Sequence, residues 1–145
     1  MRNFNRRRHP DIRDYGPEPF IFNINHAATM NKNFRTTLWT GNDMQLTVMS
    51  IPVRGDIGVE MHPDVDQFIC IESGNARVYM GNYRNALREE TTVDENYAII
   101  IPAGTWHNIV NISNRPLKLY SIYAPPQHPF NTVHKTKEDA QHEDH

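Results

Sequence analysis

The sequence predicts an all-β fold built as one domain, a closed barrel or jelly roll. Three observations predict it. Short runs rich in β-branched and aromatic residues alternate apolar with polar and recur between Gly, Asn, Asp and Pro turns. No long stretch combines a helical apolar period with capping residues; Asn82 to Glu90 comes nearest and reads better as a polar connection. Polar residues with metal-ligand chemistry gather beside turns in the middle of the chain, as expected of a barrel whose interior holds one small ligand.

In chain order, residues 1–19 carry Arg2, Arg6, Arg7, Arg8 and Arg13 among Pro10, Pro17 and Pro19. That composition predicts a partly disordered N-terminal extension, solvated rather than dedicated to phosphate or an acidic partner. The barrel is expected over 20–124. Phe20 to Ile24 is a short strand able to add to a sheet edge in this chain or in a neighbour, and residues 26–33 show no clear period. Phe34 to Thr40 and Met44 to Ile51 alternate well and flank the hairpin signal Gly41-Asn42-Asp43. Further strands are predicted at Ile57 to His62, Gln67 to Ile71, Asn75 to Met80, Tyr97 to Ile101, Trp106 to Ile112 and Leu117 to Tyr123. A C-terminal tail, 125–145, opens on Pro125-Pro126 and ends charged. His142 and His145 read as solvated, whereas His128 and His134 lie near enough to pack across the barrel surface or mouth.

The chain has 145 residues, a formal charge of −2 and a pI near 6.4, which argues against a nucleic-acid partner. No apolar run approaches the roughly 18 residues that would cross a bilayer, so no membrane role is expected. Cys70 has no partner for an internal disulfide, and the basic N-terminus lacks the apolar segment of a secretory signal. A cytoplasmic location is the expectation.

Function is concentrated between Gly55 and Gly74. Glu60 and His62 are two apart, so on an extended strand both side chains leave one face and converge on one point. Pro63 ends that strand, Asp64 to Asp66 supply a turn, and Gln67 opens the returning strand. Downstream, the apolar run Tyr97 to Ile101 delivers the chain to the Pro102–Gly104 turn, which sets His107 at the start of another strand. Glu60, His62, Gln67 and His107 are the candidate metal ligands, with Asp66 in reserve if the register slips by one. Two imidazoles, a carboxylate and an amide oxygen suit zinc, manganese, iron, cobalt or nickel and leave positions open for substrate.

These stretches resemble the two motifs of the cupin superfamily. The first runs Gly, five residues, His, one residue, His, three or four residues, Glu, six residues, Gly. Here Glu60 takes the place of the first histidine, His62 is the second, Gln67 stands where the glutamate would be and Gly74 closes the motif. In the second motif Asn96 replaces the leading glycine, while Pro102, Gly104, His107 and Asn111 match. The resemblance, over residues 40–124, implies a double-stranded β-helix holding a metal. The same ligand inventory occurs in cupin-type phosphomannose isomerases, with Glu and Gln exchanged. A metal-dependent, sugar-phosphate-isomerase-like enzyme acting on a small oxygenated molecule is therefore the favoured reading. A non-heme iron dioxygenase and a non-catalytic metal or small-ligand binder are the alternatives.

Alternation leaves Ile57, Val59 and Met61 facing outward and in need of cover by a second sheet, the N-terminal strand or another subunit; a homodimer exchanging N-terminal strands, which the resemblance implies, would supply it. The inward set of the Met44 to Ile51 strand is either Gln45, Thr47, Met49 and Ile51 or Met44, Leu46, Val48 and Ser50. Arg77, Tyr79, Tyr120 and Tyr123 are the strand residues able to hold an anion or move a proton, and each reads first as a surface or core residue.

Overall fold

The computed structural model describes residues 5–6 and 11–143. Two antiparallel sheets face each other, the all-β double-stranded β-helix expected. The larger contains β3 (Arg35–Thr40), β4 (Gln45–Ile51), β5 (Asp66–Ser73), β8 (Ala98–Ile101), β10 (Leu117–Ala124) and β11 (Val133–His134), in the order β11-β3-β4-β10-β5-β8. The smaller has the order β7-β6-β9, from β6 (Ala76–Gly81), β7 (Arg88–Val93) and β9 (Trp106–Asn111). Met49, Ile51, Ile69, Ile71, Leu117 and Leu119 of the large sheet pack against Ala76, Val78, Val93 and Ile109 of the small one, which is the principal core.

Register converts alternation into a polarised interior. One inner row of the large sheet is Arg35-Met49-Leu119-Ile71, the next is Thr37-Thr47-Ser121-Ile69, and the third is Gln45-Tyr123-Gln67-Ile101. The core is thus apolar toward Ile51 and Leu117 and becomes polar toward Tyr123 and Gln67. Gln45, Thr47, Met49 and Ile51 are the inward set of β4. The other set is also covered, because a second core on the outer face joins Leu46 and Val48 to Leu38, Ala27 and Ala28. Both faces are buried, so no polar face betrays the orientation.

The cover is α1 (Ile24–Met30), preceded by β2 (Phe20–Ile21), which pairs in parallel with β1 (Asn5–Arg6). The strand expected over Phe20 to Ile24 therefore stops early. Asn23 caps the helix, its side chain accepting from the His26 amide at 2.9 Å, and Ala27 and Ala28 are small enough to seat the backbone on the sheet. Seven residues are too few to display a helical period. β7 was likewise hidden, its first five residues exposed on both faces of an edge strand.

Asp11 to Pro19 lie against the sheet. Tyr15 is 3% exposed and stacks on Phe20 at 4.2 Å, and Asp14 accepts from Thr40 Oγ1 and the Asn131 amide at 2.6 and 3.0 Å. The expected basic cluster falls largely at Arg2, Arg7 and Arg8, outside the described residues. At the other end the chain returns. Gln45 accepts from the Gln127 and His128 amides, β11 adds to β3, and α2 (Lys137–Glu143) buries Ala140. His142 is exposed, and His145 lies outside the described residues.

Candidate metal centre

Expected as a plain strand, Ile57 to His62 instead meets β9 at separate bridges, Asp56↔Val110 and Glu60↔His107. Gly58 explains the interruption: its φ of +102° is open to glycine, and its amide donates to the Asn108 side chain at 2.9 Å rather than to a ladder carbonyl. The Ile57 amide bonds the Ile109 carbonyl and the Glu60 amide bonds that of His107, so one extra residue is inserted between them. This bulge turns Ile57, expected to face outward, into the core at 7% exposure, while Val59 stays exposed. A one-residue slip exchanges faces, which is why period-two counting fails upstream of Gly58 and holds downstream.

Downstream, the arrangement converges. Glu60 and His107 exchange both backbone hydrogen bonds, at 3.0 and 2.9 Å, and so stand directly opposite with neighbouring side chains. His62 is brought alongside by the turn from the other stretch, where Gly104, at φ +83°, donates its amide to the His62 carbonyl at 2.8 Å. Glu60 Oε1 lies 3.5 Å from both His62 Nε2 and His107 Nε2. Ligand atoms of the three residues all fall within 4.8 Å of one another.

Two of the donors are held by hydrogen bonds that leave a ligating atom free. His107 Nδ1 meets the Thr105 carbonyl at 3.0 Å; donating there leaves the Nε2 lone pair toward Glu60 and His62. Gln67 Nε2 donates to Ser121 Oγ at 2.8 Å, leaving the amide oxygen as the donor to the interior. Glu60 Oε1, His62 Nε2, His107 Nε2 and Gln67 Oε1 are all buried without a hydrogen-bond partner. Burial pushes the Glu60 carboxyl up, yet the His107 and His62 contacts and the charge of Arg35 outweigh it and hold the group well below the usual carboxylate range. The site is thus anionic and lacks thiolate, a mixed nitrogen and oxygen set that fits a divalent transition metal.

The other expected residues divide. Asp66, the reserve ligand, is exposed and accepts from the Ala103 amide at 2.9 Å, pinning the Pro102–Gly104 turn. Asn111 is an organiser: its Nδ2 reaches the Ile51, Pro52 and Arg115 carbonyls and its Oδ1 accepts twice from Ser113. Tyr123 is fully buried, its ring edge-on to His62 at 5.8 Å, and burial pushes its phenol pKa up. His128, 5.2 Å from Tyr123, and His134, 6.0 Å from His128, continue this line of rings. Arg35, not singled out from the sequence, closes the line with Nη1 3.2 Å from His134 Nδ1. Its signal was its parity with Thr37, which the bulge at Leu38 masks. A described cavity of about 570 Å³, lined by Lys32, Phe34, Asp56 and Lys137 among others, shares none of these residues.

The sequence profile of the cupin domain matches residues 47–123. Among curated proteins, uncharacterized protein YrkC of Bacillus subtilis is 56% identical over 129 residues, 89% of this chain and 69% of YrkC. Uncharacterized protein L612 of Acanthamoeba polyphaga mimivirus is 40% identical over 111 residues, 76% of this chain and 68% of that protein. A crystal structure from Bacillus halodurans, 53% identical, superposes with a TM-score of 0.89 over 90% of this chain and 99% of its own. More distantly, KdgF from Halomonas sp. shares the fold at 15% identity, with a TM-score of 0.55 over 64% of this chain and 78% of KdgF.

Proposed function

The chain belongs to the cupin family, and from that premise we propose that it holds a divalent transition metal through Glu60, His62 and His107, with Gln67 as a fourth donor. Its substrate is a small oxygenated molecule within the barrel. The observation that carries this is the burial of four donor atoms, one from each residue, with no hydrogen-bond partner. Leaving a buried polar atom unpaired costs about 1 to 3 kcal/mol, so three such atoms within 4.8 Å of one another, with Gln67 Oε1 buried on the inner face of β5, call for a common partner.

The favoured chemistry is isomerase-like, a proton shift on a hydroxy-carbonyl compound of the kind a mannose-6-phosphate isomerase-like cupin carries out. When bound, the metal supplies Lewis acidity toward adjacent substrate oxygens. Tyr123 supports the proton shift. Burial keeps its phenol protonated, and its hydroxyl, beside the Arg35 and Ser121 side chains, is placed to donate to an oxygen that gains charge beside His62. The competing reading is a non-heme iron dioxygenase, favoured by the count of two histidines and one carboxylate. Elemental analysis of purified protein separates them: iron together with oxygen uptake selects oxidation. Zinc or manganese, with solvent deuterium entering an aldose or ketose, selects isomerisation. Stoichiometric metal without turnover of either kind leaves a binding protein, and absence of metal after reconstitution refutes the proposal.

A homodimer and a cytoplasmic location complete it. Ile100 on the edge strand β8 and Tyr97 just before it, 60% and 51% exposed, support self-association, and sedimentation velocity tests it. Cys70 is a free thiol, as suits a reducing compartment. No described helix is long and apolar enough to cross a membrane.

A further inference from the structure

Among the described residues, Arg35 is the one Lys or Arg that is buried, at 2% exposure. It stands on the inner face of β3 opposite Met49, inside the barrel rather than at its rim. No ion pair among the described residues includes it, its Nε is buried without a partner, and its Nη1 lies 3.2 Å from His134 Nδ1. Its charge acts on Glu60, Tyr123 and His128. Glu60 acts on Arg35 only at a distance, and a buried guanidinium with no carboxylate in direct contact is costly to the fold unless a further negative charge is supplied.

Two more interior atoms, His128 Nε2 and Thr47 Oγ1, are buried and unpaired, on residues 8% and 0% exposed, and the Tyr123 hydroxyl, fully buried, stands beside the Arg35 and Ser121 side chains. The rings connect them to the metal centre: His62 to Tyr123 at 5.8 Å, Tyr123 to His128 at 5.2 Å, His128 to His134 at 6.0 Å. Thr47 lies one inner row from Arg35 and one from Tyr123. We infer that this part of the barrel is a carboxylate-binding site, in which the Arg35 guanidinium receives the anion while Tyr123, His128 and Thr47 fix its position beside Glu60, His62 and His107.

Charge decides for carboxylate over phosphate. Burial, and the repulsion of Arg35, hold His128 down to about 3, so it is neutral at physiological pH and Arg35 is the only full positive charge among these groups. One guanidinium fork matches the single charge and two coplanar oxygens of a carboxylate, while a phosphate brings close to two charges at neutral pH. A divalent ion on Glu60 would add positive charge to the same space, so a ligand with a second anionic oxygen gains further. In that respect the inference deepens the metal-centre reading and narrows the substrate to a small hydroxy- or oxo-carboxylate. The Arg35 site itself stands without the metal.

The test is calorimetric titration of the full chain, both chelator-stripped and zinc-loaded, with malonate, uncharged malonamide and inorganic phosphate. Malonate is expected to bind both forms, more tightly with zinc, and at least about tenfold more tightly than malonamide or phosphate. Arg35→Gln should weaken malonate binding to the stripped protein at least about tenfold while zinc stoichiometry is unchanged. Tyr123→Phe, which keeps the ring, should weaken it severalfold and decides the matter should Arg35→Gln fail to fold. Equal binding of malonate and malonamide, no malonate binding by either form, or wild-type affinity in the folded Arg35 variant overturns the inference; so does wild-type affinity in Tyr123→Phe if the Arg35 variant does not fold. Phosphate binding more tightly than malonate overturns the choice of carboxylate. Stoichiometric zinc without malonate binding removes the anion site alone, and Arg35-dependent malonate binding without zinc removes the metal centre alone.

Discussion

Replacing Glu60 by glutamine tests the metal centre with the least disturbance of the fold. The substitution is isosteric and leaves both backbone hydrogen bonds to His107 in place, so the bridge that positions the site is retained. What changes is one negative charge 3.5 Å from each imidazole Nε2. Two unit charges 4 Å apart interact by about 4 kcal/mol at an effective dielectric of 20, and a divalent ion doubles that. Part is offset by the amide oxygen that remains as a neutral donor and by the hydration the ion gives up. Taking about a third as the net difference gives roughly 3 kcal/mol, on the order of a hundredfold in affinity. Competition with a chromophoric chelator, using zinc and the stripped protein, reads this directly. Circular dichroism and thermal unfolding of the stripped forms establish that the variant is folded. A folded Glu60→Gln protein with the zinc affinity of the parent would refute the assignment of Glu60, because no neutral amide replaces a carboxylate beside a divalent ion without loss.

His107→Ala, at 1% exposure, should lower bound metal at least about tenfold by elemental analysis while the barrel still folds; retained stoichiometric metal would remove His107 from the site. Asn111→Ala strands the Ile51, Pro52 and Arg115 carbonyls, so urea denaturation should show a loss of about 2 to 4 kcal/mol with zinc stoichiometry unchanged in protein that remains folded. His128 gives a pH signature. Its pKa falls from 6.5 unfolded to about 3 folded, so the unfolded chain binds the extra proton between those values and its stabilising neutrality is present above 6.5 and lost as pH falls toward 3. Between pH 6.5 and 5 the parent should lose about 1 to 2 kcal/mol more than His128→Gln; parallel stability curves would contradict it. Gly104→Ala meets no atom within 4 Å, so its cost should be the backbone strain alone, about 1 kcal/mol.

The sequence by itself determined the class of fold and the elements that carry the site. Alternation marks β4, β5, β6, β9 and β10 because each presents a face to the inter-sheet core, and β3 because Leu38 packs into the core beneath α1. It also singled out Glu60 and His62 as side chains leaving one face, because period-two spacing acts locally, and placed His107 just after a Pro-x-Gly turn; their meeting, which the motif resemblance implied, is made by the long-range Glu60↔His107 bridge. Tertiary structure decided the rest, for three physical reasons. α1 and β7 have no readable period, one being a single short amphipathic piece and the other exposed on both sides. The bulge at Gly58 reassigned Ile57 to the core, and a bulge is seen only once the partner strand's hydrogen bonds are known. The inner wall of Arg35, Tyr123, His128 and His134 joins residues about a hundred positions apart, brought together when β11 pairs with β3 and Gln45 fastens the segment after β10. Local patterning encodes which way a side chain leaves its strand, while only the paired sheet determines which other side chains it meets.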